Sequence, residues 1–283
     1  MGKLNFYDED DKPKKAATKK AAPAKKAPAK ASESASAKNP PAKQQKQELS
    51  RPASAAKGVH GEIDENDVIL PRLNIVNPAS KLCTEEDMPI GSFVLEKELV
   101  LATRDDKLNF VVLDITKLYQ QKVDYQGGET PNVVSTKAEV AAAGGTTKWS
   151  EEAVEEERYY QPLAHVVLLI QAPAKLDKSE LHRFPLEYDG AHWARVIFTV
   201  AGGAYNAFAK AIITHGMGKL QSAGGLFTGL WTLKSVKKSN DDNTWYVPTS
   251  KLVGVVTDKE TYDFLAEQAD DDFSLATSSG EEE

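Results

Sequence analysis

A flat aromatic ring can hold a base and a cation can hold a phosphate. The stretch from Gly225 to Val256, GLFTGLWTLKSVKKSNDDNTWYVPTSKLVGVV, supplies both. Two apolar, β-prone runs flank a polar turn and carry Trp231, Lys234, Lys237, Lys238, Trp245 and Tyr246. Upstream, in HWARVIFTV, Trp193 and Arg195 are two apart and so point to the same side of a strand. Base stacking on such rings contributes about 1–3 kcal/mol per base and tolerates any sequence, while lysine and arginine neutralise the backbone. The bland alternative is that the tryptophans fill the core, since tryptophan is highly buried on average, and that the lysines are solvated. The pairing of rings with cations on neighbouring strands favours a nucleic-acid platform built from Trp193, Arg195, Trp231, Lys234, Lys237, Lys238 and Tyr246.

Catalytic patterns are weaker. The five histidines (His60, His165, His182, His192 and His215) are scattered, and no pair has the helical spacing of a metal motif. His165 lies on an apolar strand and reads as a hydrogen-bonded core residue. HGMGKLQS resembles a phosphate loop only loosely: the glycine interval is wrong, and Leu220 follows Lys219 where Ser or Thr is required. There is no GxSxG elbow, and Cys83 sits in a polar segment without an obvious partner. The expectation is a protein with no catalytic residues, no metal and no cofactor.

The elements that would position a binding platform occupy only part of the 283 residues. Lys12 to Lys57 is mostly Lys, Ala, Pro, Ser and Gln, with 13 basic residues against two acids. It has too little apolar surface to offset the entropy of ordering, so residues 1–58 are expected to form a disordered basic arm. The whole chain carries a net charge of -7, so this arm is balanced by acid elsewhere. Residues 270–283 are expected to form a disordered acidic tail, in which Asp270, Asp271, Asp272 and Phe273 are the candidate partner-binding residues. Between them, residues 59–269 are long enough for one β-rich domain. A single cysteine excludes an internal disulfide and fits a reducing compartment. No apolar run of 18 residues and no N-terminal apolar segment occurs, so a soluble, cytoplasmic protein is expected, without membrane contact.

Within that domain DVILPRLNIV reads as an extended lead-in. GSFVLEKELVLA places Phe93, Leu95, Leu99 and Leu101 on one face of a strand. TRDDK makes the turn to a second strand, LNFVVLDITKL. A polar insertion is expected over 118–160, with a short helix near Thr136 to Ala143 stopped by Gly144 and Gly145. LAHVVLLIQA is apolar on both faces and reads as the central strand. Tyr205, Phe208, Ala209 and Ile212 share a helical stripe ended by Gly216, and Thr257 with Glu260 reads as the capping box of a last helix. This order suits an α+β, mainly β fold: an OB-like antiparallel barrel or a strongly twisted sheet with two or three helices and long loops.

ENDVILPRLNIV and GSFVLEKE, together with ARVIFTVAGGAYNAFAKAIITHG, GLFTGLWTLKS and TWYVP, resemble a group of bacteriophage replication-region proteins regarded as single-stranded DNA-binding proteins. The resemblance covers most of the folded part and neither extremity. It implies an OB-like core and an acidic tail that recruits replication proteins. The expected function is therefore non-catalytic binding of single-stranded DNA in phage replication or recombination. The alternatives are a virion-associated or DNA-compacting structural protein that contacts DNA through its basic arm, and an enzyme with a dispersed active site. Self-association, strand polarity and DNA against RNA stay open at this level.

Overall fold

The computed structural model describes residues 70–123, 130–240 and 243–270. The basic arm and the acidic stretch from Asp271 onward, including Asp271, Asp272 and Phe273, lie outside them.

Period-two alternation builds the sheet and decides which side each residue takes. The central strands are β4 (Leu108–Gln121), β6 (Tyr160–Gln171) and β8 (Ala191–Ala201). Phe110, Val112, Val166, Leu168, Ile170, Ala194, Val196 and Phe198 turn to the inner face and are buried there. Val111, Leu113, Val167, Leu169 and Trp193 turn to the outer face and are buried as well. That double burial is what the two-sided apolar run LAHVVLLIQA demands.

Three strands extend one side of this centre: β1 (Arg72–Ile75), β2 (Phe93–Leu95) and β3 (Leu99–Ala102). The other side carries β9 (Gly229–Ser239) and β10 (Thr244–Val255), the hairpin that held the candidate rings. The strand order is β10-β9-β4-β6-β8-β1-β2-β3, antiparallel throughout except for the parallel β1/β8 pair. Short strands β5 (Val133–Val134) and β7 (Leu186–Tyr188) pair with β4 and β8 off this path. The sheet curls so that β10 comes up to the segment that follows β1. There the Tyr246 backbone N–H donates to Asn77 Oδ1 at 2.6 Å. Gly91, at φ +81°, allows the approach, since a Cβ would stand 2.8 Å from the Tyr246 ring. The result is a curled half-barrel, the twisted-sheet form of the expected fold.

Helices seal both faces. Short helices α1 (Lys81–Thr84), α2 (Lys137–Ala142) and α3 (Glu151–Glu155) lie in connections. A long irregular helix fills the inner face. It runs through α4 (Gly202–Ala204), a π turn (Tyr205–Ala209), α5 (Lys210–His215) and a second π turn (Gly216–Leu220). Phe208 lies in ring contact with Phe110 at 5.8 Å and Phe198 at 5.2 Å. On the outer face, α6 (Lys259–Ala269) places Leu265 against Val111, Val167, Leu169, Trp193 and Leu230. No helix among the described residues is long and apolar enough to cross a membrane.

Several local expectations are corrected by this geometry. The run expected as one strand over 93–101 folds back on itself, because Glu96 and Lys97 adopt φ of 52° and 68° and make a tight turn. The insertion is shorter than 118–160, since β4 and β6 continue pairing out to Gln121 and Tyr160. The inner helix runs through Gly216 and ends at Gly224, at φ +114°. Gly216 instead gives clearance: a Cβ there would stand 2.5 Å from Leu226. The cap of α6 is Asp258, whose carboxylate accepts from the Thr261 N–H at 2.8 Å, one residue past Thr257. Asp270 is the C-cap of α6 and its N–H donates to the Ala266 carbonyl, so it belongs to the folded body.

Two stability predictions follow from α6. Leu265→Ala removes a fully buried side chain from the outer core and should cost about 2–5 kcal/mol in urea denaturation. Hydrogen bonds from Thr261, its side chain first, hold the Asp258 carboxyl below its usual 3.8, so the cap stabilises α6 above that pH and fades as pH falls through the lowered value. Asp258→Ala should cost about 1 kcal/mol at pH 7, and the deficit should shrink as the measurement is moved towards pH 2.

Candidate nucleic-acid interface

The register of the β9–β10 hairpin sorts its side chains into two sets. Asn240 closes the turn, its N–H donating to the Asn243 carbonyl and its Oδ1 accepting from the Asn243 N–H. That closure sets Ser239 opposite Thr244 and therefore Lys238 opposite Trp245, Val236 opposite Val247 and Lys234 opposite Thr249. Directly opposed residues share a face. Trp245, Lys238, Val236 and Lys234 consequently lie together on the outer face, all exposed, with Trp245 at 38%. Lys251, opposite Thr232, continues the same face and is exposed. β9 pairs β4 only through Leu230–Leu233, so the ribbon beyond Lys234 projects past the sheet.

The other parity points inward. Tyr246 is 7% exposed, packs against Gly91 and accepts from the Arg104 guanidinium, a contact that raises the Arg104 pKa ahead of Asp105. Lys237, opposite Tyr246, is exposed but lies on the face away from Lys234 and Lys238. Trp231 is 0% exposed and stands beside Phe110 at 6.3 Å, with the His215 ring 5.6 Å away on edge. Trp193 is 1% exposed beneath α6, and Arg195 donates to Gln268 Oε1 of that helix at 2.7 Å.

These positions overturn the stacking assignments. A base needs an open ring face, and the three rings offer none: α6 closes over Trp193, the inner helix packs over Trp231, and Tyr246 lies against Gly91. Arg195 is engaged in holding α6. Of the seven residues first singled out, only Lys234 and Lys238 share an open face, and the ring that joins them is Trp245. The deciding signal was present in SNDDNTW: counting back from a closed turn pairs Trp245 with Lys238.

Other cation and histidine placements are less suited to phosphate. Lys117 Nζ lies 5.1 Å from the Tyr119 ring and 6.0 Å from the Tyr205 ring, and hydrogen bonding to Tyr119 leads the causes that raise its pKa. His165 is half-buried, with Nδ1 2.9 Å from Thr199 Oγ1, rather than a core residue. Burial first, then the Arg72 charge, lowers its pKa. HGMGKLQS lies in the helix and its second π turn, where no loop cradles a phosphate. Among the described residues no group of three or more His, Cys, Asp or Glu is placed to hold a metal.

The hairpin and α6 both lie within residues 171–275, which match the family model described as Pam3 phage gp34-like protein. That stretch is similar to a phage protein family. The match spans less than half of the chain and gives the protein a phage association without a ligand or an activity. No curated protein and no solved structure matches the chain.

The tryptophans divide into two open and two sealed. Trp149 is 64% exposed in the connection between β5 and β6, and Trp245 is the other open one. A Trp149→Phe/Trp245→Phe double variant should emit only from sealed indoles. Its fluorescence should be blue-shifted and should resist acrylamide; emission like that of free tryptophan would contradict the packing.

Proposed function

We propose that this phage-associated protein is a non-catalytic binder of single-stranded DNA, acting in replication or recombination, and that the strand lies on the outer face of the β9–β10 ribbon. The observation that carries this reading is the open Trp245 ring set directly across from Lys238, with Lys234 and Lys251 on the same face. An exposed indole supplies a stacking surface that every base can use, and lysines beside it neutralise the phosphates. The ribbon is held rigid from behind, since Tyr246 and its neighbour Pro248 are buried on the inner side. The arm Lys12–Lys57 carries 13 basic residues against two acids, and such a segment attracts any polyanion in a way that weakens steeply with salt. The single-strand preference and the role of the acidic tail in contacting replication proteins rest on the family resemblance.

The structural alternative, a virion-associated protein using its arm alone, is separated by partner preference. In the full-length chain, binding of a short oligo-dT and of a duplex of equal length should be titrated over a range of salt. Trp245→Ala should weaken oligo-dT binding by about 5-fold or more, the loss of one stacked base. Lys234→Ala/Lys238→Ala should make the salt dependence shallower by about 1.4 in logarithmic slope. Equal affinity for both nucleic acids, unchanged in either variant, would pass the function to the arm.

A further inference from the structure

We infer that the bound strand leaves the ribbon at Lys234 and turns across the end of the sheet, where Lys107 and Lys175 hold a second set of phosphates. This rests on the proposed binding face and gives it a path and a length, since phosphate contacts fix how a nucleic acid is laid on a protein.

Packing rules out a straight course. Along β9 the outer face runs from Lys238 through Val236 to Lys234, about 13 Å at the usual rise per residue. Further along the same face stands Leu230, buried with Val111, Leu169 and Leu265 under α6, and Thr232 between them is buried too. A strand that follows the ribbon inward therefore meets the helix and has to turn. Towards β10 the sheet ends, because β10 is its outermost strand. Towards β4 and β6 the cations continue.

Lys107 is the first of them. Leu108 pairs with Leu233 and both turn to the inner core, so Lys107, one residue earlier, stands across from Lys234 on the outer side. One strand spacing, about 5 Å, separates the two backbones, and both residues are exposed. Lys175 is the second. β6 ends at Gln171, whose Oε1 accepts from Asn109 Nδ2 at 3.0 Å, so the connection that follows leaves the sheet beside the start of β4. Lys175 lies exposed in that connection, and its charge reaches the carboxyl of Asp106, the neighbour of Lys107. Hydrogen bonds from Thr103, its side chain first, and then Lys175 hold that carboxyl below its usual 3.8.

The same rim carries acids, and each is engaged by its own loop. Asp106 Oδ2 accepts from the Thr103 hydroxyl at 2.7 Å and from the Thr103 N–H at 3.2 Å. Asp177 Oδ1 accepts from the Ser179 N–H at 3.0 Å, and Asp105 pairs with Arg104 at 3.4 Å. These carboxylates shape the turns that flank Lys107 and Lys175. The cations then trace a bent track, along the ribbon from Lys238 to Lys234 and across the strands from Lys234 to Lys107 and Lys175. Such a track suits a site of roughly 4–16 nucleotides, the range covered by small β-barrels that bind single strands.

The test uses the full-length protein with end-labelled oligo-dT of about 5 and about 15 nucleotides, a short probe for the ribbon and a long one for the whole track. Lys107→Ala/Lys175→Ala should weaken the long oligomer at least about 5-fold and lower its logarithmic salt slope by about 1.4, while leaving the short one within twofold. Lys107→Arg/Lys175→Arg keeps the charge and should bind the long oligomer like the wild type. Lys137→Ala/Lys148→Ala removes as much charge from the connection between β5 and β6, at the other end of β4, and should change neither oligomer. Long-oligomer binding unchanged in Lys107→Ala/Lys175→Ala overturns the inference. So does an equal loss for both oligomers, or the same loss in Lys137→Ala/Lys148→Ala, since either would reflect total charge and no path. If Trp245→Ala and Lys234→Ala/Lys238→Ala still weaken both oligomers in that case, the binding face itself stands. If they do not, the failure lies in the proposed function.

Discussion

The central strands are apolar on both sides, and that single constraint dictates where everything else can go. An apolar face left in water forfeits about 25 cal/mol for each square ångström not buried, so each side of β4, β6 and β8 requires a lid. The inner helix supplies one through Phe208 and Ile212, and α6 supplies the other through Leu265. Once both are in place, any ring from the middle of the sheet is sealed in. An aromatic residue can reach solvent on a strand only where the sheet outruns its lids, and the ribbon of β9 and β10 beyond Lys234 is such a place.

The architecture was legible because its signals are local and periodic. The alternation in HWARVIFTV places Trp193, Arg195 and Ile197 opposite Val196 and Phe198, as observed. The helix near Thr136 forms with that residue as its cap, accepting from the Glu139 N–H at 3.2 Å. The stripe Tyr205, Phe208, Ala209 and Ile212 is buried as its spacing requires. The pair Asp189–Gly190, both at positive φ, makes the β7–β8 hairpin, a turn that the sequence reading did not pick out.

Side chain exposure was not legible, and the reason is tertiary. Parity says that Trp193 and Arg195 share a face but not that the helix Lys259–Ala269 covers it. Aromatic content alone ranks Trp231 and Trp245 equally; only the register of the turn and the reach of β4 separate a core residue from an exposed one. The same holds for Asn109 and Gln171, which are 62 positions apart and become neighbours through strand pairing. Helix ends shifted for a nearer reason. At Gly216 the chain could stop, yet packing against Leu226 rewards continuing, and two π turns absorb the change of phase.

The junction of Asn77 with Tyr246 has a consequence for how the ring of strands is indexed. A continuous ladder would propagate pairing order around the whole circumference, so a slip of one residue anywhere would flip side chains everywhere. Here side chains join β10 to the segments beside β1 and β3, the Asn77 carboxamide taking one N–H and Arg104 the Tyr246 hydroxyl, rather than a series of backbone pairs. An added or lost residue near the turn of β10 is therefore absorbed at that junction instead of being relayed to the strands across it. A change of length at the turn end of β10 therefore leaves the pairing of β4, β6 and β8 as it is.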